Sequence, residues 1–152
     1  MQRTIYTFLS IVWSLWFGGL VLLFMAVQSL FKTFADRHDL AGQGAQQIFH
    51  VFDRYQLTLA ALSLILTFIW RIISPRTGKT TLFTCFALAT IGALAIAMLI
   101  SPKIIALQAQ GLTHTVQFSK LHGISMAVYL AETAVLLFTG FWLHIRRDWE
   151  AY

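Results

Sequence analysis

The chain reads as all-α, an integral membrane bundle of four spanning helices, and three observations predict it. Of its 152 residues 58% are hydrophobic and 11% charged, with a mean hydropathy of +0.71, far too apolar for a soluble domain of this length. Lys, Arg, Asp and Glu are absent from Thr4 to Phe31, Tyr55 to Trp70 and Thr80 to Pro102, and Leu121 to Ile145 holds only Glu132. Within that last run, at about 100° per residue, His122, Ser125, Tyr129 and Glu132 fall inside an arc of roughly 80°, so one helical face carries its polar groups.

Crossing hydrocarbon takes roughly 20 residues. Three runs are long enough and the second is short, so its helix is expected to begin near Ile48, with Asp53 and Arg54 snorkelling into the headgroups. The expected helices cover about 5–31, 48–73, 80–101 and 118–144, in a single domain over 1–152. Arg3 precedes the first run as in a secretory signal, but that run exceeds the usual apolar length and no small-residue cleavage site follows, so it reads as a retained helix. The net charge of +5 would suggest nucleic acid for a soluble protein; here the bases sit at helix ends, where anionic headgroups are the partner, and nucleic acid is not. Arg3, Arg71, Arg76, Lys79, Arg146 and Arg147 lie on the side of the termini, and Lys32, Arg37, Arg54, Lys103 and Lys120 on the other. This balance, with three bases in the shortest loop, favours cytoplasmic termini in a bacterial inner membrane.

Helix one carries Ser14, Gly18 and Gly19, small enough for a close neighbour. The next segment, 32–47, contains Gly42 and Gly44 and reads as a loop and turn; no strand precedes it, so it is no phosphate cradle. Helix two opens with His50 and Asp53, three residues apart on one face. Gly78-Lys79-Thr80 imitates the end of a nucleotide-binding loop, but Ile73 stands where the motif needs glycine. In helix three, Cys85, Ala89, Ala93 and Ala97 form a small-residue packing stripe, and the single cysteine allows no internal disulfide. Pro102 is expected to stop that helix. Helix four ends in Arg146-Arg147-Asp148-Trp149-Glu150, a basic and aromatic membrane anchor.

Helices two and four begin, and one and three end, on the same side. This puts His50, Asp53, His122 and Ser125 at comparable depth with Met25, Met98 and Met126. A cluster of His122, His50 and these methionines would suit Cu(I) or an axially ligated b-type haem; methionine is also an ordinary bundle filler. Glu132 lies about 18 Å past Lys120 along its helix, close to the bilayer midplane. An ionised, unpaired carboxylate there costs several kcal/mol. It must be protonated, hydrogen-bonded to a group such as Tyr55, Thr58 or Ser63, or neutralised by a bound or carried cation.

Trp16-Phe17-Gly18-Gly19, Ala41-Gly42 followed by Phe49 and Phe52, Pro102-Lys103-Ile104 and above all Phe118-x-x-Leu121-His122-Gly123-x-Ser125 give the chain a likeness to a family. It resembles the small four-helix membrane proteins related to transmembrane protein 205, a family of unknown function. The resemblance spans nearly the whole chain and implies a fold and a location, not an activity. Where the family commonly has Asn four residues after the Ser, this chain has Tyr129, and it contains no Asn. By fold-level analogy, four-helix membrane families that bind haem or handle copper keep a His near a helix end.

No nucleophile with its base, strong metal spacing or nucleotide motif occurs, which favours a non-enzymatic protein. The preferred reading is a membrane protein that handles a small solute or ion at the polar face of helix four. His122 and Ser125 form its mouth, Tyr129 and Glu132 its interior, and His50 and Asp53 are helpers. The same sequence suits an accessory subunit of a larger membrane complex or a homo-oligomer. The alternatives are a haem- or copper-binding redox protein and a purely structural subunit.

Overall fold

A computed structural model describes residues 2–73 and 77–145, with side chains from Lys79 onward in the second stretch; these residues are helical apart from short connections and contain no strand. The elements are α1 (Gln2–Thr33), α2 (His38–Ile73), α3 (Thr77–Leu94), a π-helical turn (Ala95–Ile100), α4 (Ser101–Ala109) and α5 (Val116–Ile145). Four segments are long and apolar enough to cross a membrane: α1, α2, the continuous stretch Lys79–Ala109, and α5. The chain is therefore a four-helix membrane bundle whose surroundings are a lipid bilayer. Around the bundle, α1 packs on α2 and α5, and α3 packs on the same two, so α2 and α5 face each other across the middle. Tyr6 contacts both Trp70 and His144, which puts the start of α1 and the ends of α2 and α5 at one end, the termini end. The connections 34–37 and 110–115 close the other, the loop end.

Two boundaries and one side chain differ from expectation, each for a physical reason. The helix expected near Ile48 begins at His38, so the presumed loop 32–47 shrinks to 34–37 and both glycines are helical. Gly44 serves close packing: a Cβ there would come within 3.0 Å of Leu30 Cδ2 on α1. The neighbouring Ala41 and Ala45 are buried as well. Second, Pro102 does not end the third span. A proline inside an α-helix lacks an N–H and pushes on the carbonyl one turn back. Here the π-turn widens the backbone just before it, with the Ser101 N–H reaching back five residues to Ile96 O, and Pro102 enters in the first turn of α4, where no N–H is needed. The buried stripe of Cys85, Ala89 and Ala93 continues inward with Ile96 and Ile100, and Ala97 lies off it. Third, Asp53 does not snorkel. Successive residues point about 100° apart on a helix, and here Arg54 takes the outer surface while Asp53 turns in, 6% exposed.

Packing at the termini end is tight. The Trp13 indole of α1 donates to Leu136 O of α5 at 2.6 Å and lies so close to Gly140 that a Cβ there would overlap the ring. Near the middle, a Cβ on Gly19 would come 2.8 Å from the Tyr55 ring, whose hydroxyl donates to Leu15 O at 2.9 Å. Small residues thus admit the aromatic ties between helices, as in other membrane bundles. Arg76 and the segment Arg146 to Glu150, expected to be a membrane anchor, lie outside the described residues.

Candidate functional site

Both carboxyls of the bundle interior sit near mid-helix, and all four spans contribute to their surroundings. Asp53 projects from α2 and takes donors on both oxygens: Ser101 Oγ reaches Oδ2 at 2.8 Å, and the Tyr129 hydroxyl reaches Oδ1 at 3.0 Å. Gln56 Nε2, one turn along α2, adds a longer contact of 3.4 Å to Oδ1. The π-turn is what swings Ser101 round to Asp53, so the irregular backbone and the polar bond belong together. Tyr129 reaches across from α5 and is walled by Phe24, Phe49 and Phe52, with ring centroids 6.5, 5.8 and 6.2 Å away.

Glu132 follows Tyr129 by one turn on α5 and is 3% exposed. Its Oε1 accepts from the fully buried Trp16 indole of α1 at 2.8 Å. Its Oε2 has no hydrogen-bond partner and neither has Gln56 Oε1, so both orphaned atoms are acceptors. On the α3 side stands Gly92, where a Cβ would meet Oε2 at 3.6 Å, beside the Val128 methyl group. Among the described residues the only buried cationic side chain is Lys79, which lies over the Trp70 ring, 4.8 Å from its centroid, at the termini end. The hydroxyls anticipated as partners of Glu132 are engaged elsewhere: Tyr55 on Leu15 O, Thr58 on Arg54 O and Ser63 on Ala60 O.

Of the residues anticipated from sequence, Ser125, Tyr129, Glu132 and Asp53 are buried in the bundle, and the last three converge on this network. Ser125 stops short of it and donates to His122 O at 3.0 Å. His122 itself is on the outer surface, stacked on Phe118 one turn earlier with 2° between the ring planes. His50 is also on the outside, one turn before Asp53. The two imidazoles thus lie on facing helices with both rings outward, and no group of three His, Cys, Asp or Glu suited to a metal occurs among the described residues. Met25 and Met98 are exposed; Met25 and Met126 line one groove of about 350 Å³ together with Phe24, Gln28 and Phe49, which Met98 does not join. This donor set does not fit a haem or copper centre held by His122 and His50.

Trp16, Ser101 and Gln56 were not anticipated. Trp16 entered only as part of the Trp16-Phe17-Gly18-Gly19 likeness; the available signal was an indole N–H in mid-membrane, which needs an acceptor. Ser101 read as the end of a helix because Pro102 follows it.

No curated protein and no solved structure matches the chain significantly. A family model does match residues 11–113, from α1 past the end of α4, so Trp16, Asp53, Gln56 and Ser101 lie inside the match and Tyr129 and Glu132 beyond it. The chain belongs to the family described as "Domain of unknown function (DUF4149)".

Proposed function

We propose that this is a non-enzymatic protein of the bacterial inner membrane, with cytoplasmic termini, that takes a small cation, the proton included, at Glu132. The observation that carries the reading is the orphaned Oε2 of a carboxyl buried in mid-bundle, with no cation near it among the described residues. Intramembrane acids of this kind mark ion and proton sites. Hydrogen-bond capacity divides the two carboxyls. Asp53 already receives two short donors and one long one, the arrangement that suits an ionised, acceptor-only carboxylate. Glu132 receives one donor and keeps an open oxygen, so it is the group that exchanges. His122 and His50 have no part in this version of the site. The likeness to proteins related to transmembrane protein 205 supports the membrane setting.

The test is proteoliposomes loaded with a pH-sensitive dye and driven by a potassium diffusion potential, with sodium flux measured in parallel. Wild type should pass ions, and Glu132→Gln should lose at least tenfold of that flux at unchanged thermal stability. A variant that instead loosens the bundle, or a stoichiometric partner that co-purifies and fails to assemble with Glu132→Gln, would assign Glu132 to a structural subunit.

A further inference from the structure

Resting on that reading, we propose that the species exchanged at Glu132 is a proton, and that it reaches Glu132 from the loop end through Ser101, Asp53 and Tyr129. Exposure drops after the first member: Ser101 is half-buried, and Asp53, Tyr129 and Glu132 are all buried. Asp53 joins a half-buried hydroxyl to a buried one, since its two oxygens hold Ser101 and Tyr129 at 2.8 and 3.0 Å. Tyr129 and Glu132 stand one turn apart on the same face of α5, and the route places one bridging water between their oxygens. Ser101 gives its proton to Asp53 and is refilled from the loop side; the Tyr129 hydroxyl turns, gives its proton through the water to Glu132 and takes in its place the one held by Asp53, which returns to its acceptor-only form, and nothing is oxidised or reduced.

Towards the termini no such series exists among the described residues. Ser63 donates to Ala60 O, Thr67 to Ser63 O and Thr139 to Val135 O, each on its own helix. Trp16, Phe86 and Leu136, all fully buried, fill the cross-section beyond Glu132. The surroundings of Oε2 also separate a proton from a metal cation. Hard cations collect a shell of roughly six or more oxygens. Here the Oε2 side offers the bare Gly92 backbone and a valine methyl, and the Oε1 side an indole N–H, which donates and ligates nothing. A proton needs only the oxygen. The titratable groups facing Glu132 are Asp53 from α2 and Tyr129 from α5, with His50 outside Asp53; α1 and α3 present Trp16 and Gly92, which do not titrate.

The experiment is infrared spectroscopy of the full chain in lipid nanodiscs, mixed rapidly into D2O. The Glu132 carboxylic C=O stretch is the band missing from Glu132→Gln. That band should titrate with pH, with a midpoint unmoved when potassium is replaced by sodium. Tyr129→Phe, which keeps the ring among its three phenylalanines, should slow its H/D exchange at least tenfold, as should Ser101→Ala; Thr139→Val should change it less than twofold. A midpoint displaced by sodium overturns the proton assignment and leaves a cation site at Glu132 standing. Exchange unaffected by Tyr129→Phe and Ser101→Ala in folded protein overturns the route. No titrating band at Glu132 overturns the inference, and only ion flux indifferent to Glu132→Gln would also remove the function proposed above.

Discussion

The two halves of the bundle interior, divided at Glu132, use hydrogen bonds differently. Towards the loop end, side chains of different helices bond to one another: Ser101 and Tyr129 to Asp53. Towards the termini end they bond mainly to backbone, Trp13 to Leu136 O across helices and Ser63, Thr67 and Thr139 to carbonyls of their own helices, with Thr139 also meeting the Cys85 thiol of α3. A carboxylate can gain and release a proton between its partners. An amide carbonyl accepts a bond and stays as it is. The difference teaches that one half is built to exchange and the other to hold, and that the holding half closes the exchanging one from behind.

Substitutions can break or sharpen this contrast. The largest effect is expected at Asp53: Asp53→Leu strands the Ser101 and Tyr129 hydroxyls and the Gln56 amide, costing about 3 kcal/mol or more in unfolding from detergent at roughly 1 kcal/mol or more per stranded group. Liposome flux should be lost with it. In the holding half, Gly140→Val drives a side chain into the Trp13 indole. Overpacking there should cost about 1–3 kcal/mol in the same unfolding assay, with flux per folded molecule retained. A matched pair sharpens the comparison. Trp13→Phe and Trp16→Phe each delete one indole donor, for about 1 and about 2 kcal/mol, the second being bonded to a carboxyl. Only Trp16→Phe should move the infrared titration of Glu132. The smallest effect belongs to Thr139→Val, whose hydroxyl bonds a carbonyl of its own helix; less than about 1 kcal/mol is expected, read as a shift in thermal midpoint. A large loss of flux in Thr139→Val would erase the distinction between the halves.

Much of the fold is legible along the chain because a bilayer imposes length and neutrality on whatever crosses it. The charge-free runs marked all four spans, and helical period picked out Ser125, Tyr129 and Glu132 as one inward face. The same period put His122 on that face, but α5 has little around it so near its start, and the ring lies outside against Phe118. Asp53 was misplaced because its neighbour Arg54 reads as an interfacial charge, and only packing shows that the two point apart. Trp16 and Ser101 carried no usable signal: their partners lie 116 and 48 residues away in the chain, a separation no periodicity encodes.

What the sequence determined by itself is the solvent: so many apolar residues with so few charges leave hydrocarbon as the medium, and hydrocarbon leaves helices as the form. What tertiary structure decided is which polar atoms meet. A π-turn before Pro102 rotated Ser101 onto Asp53, and a glycine on α3 left one oxygen of Glu132 facing bare backbone. Both follow from how helices settle against one another, where a fraction of a turn separates a hydrogen-bonded oxygen from an orphaned one.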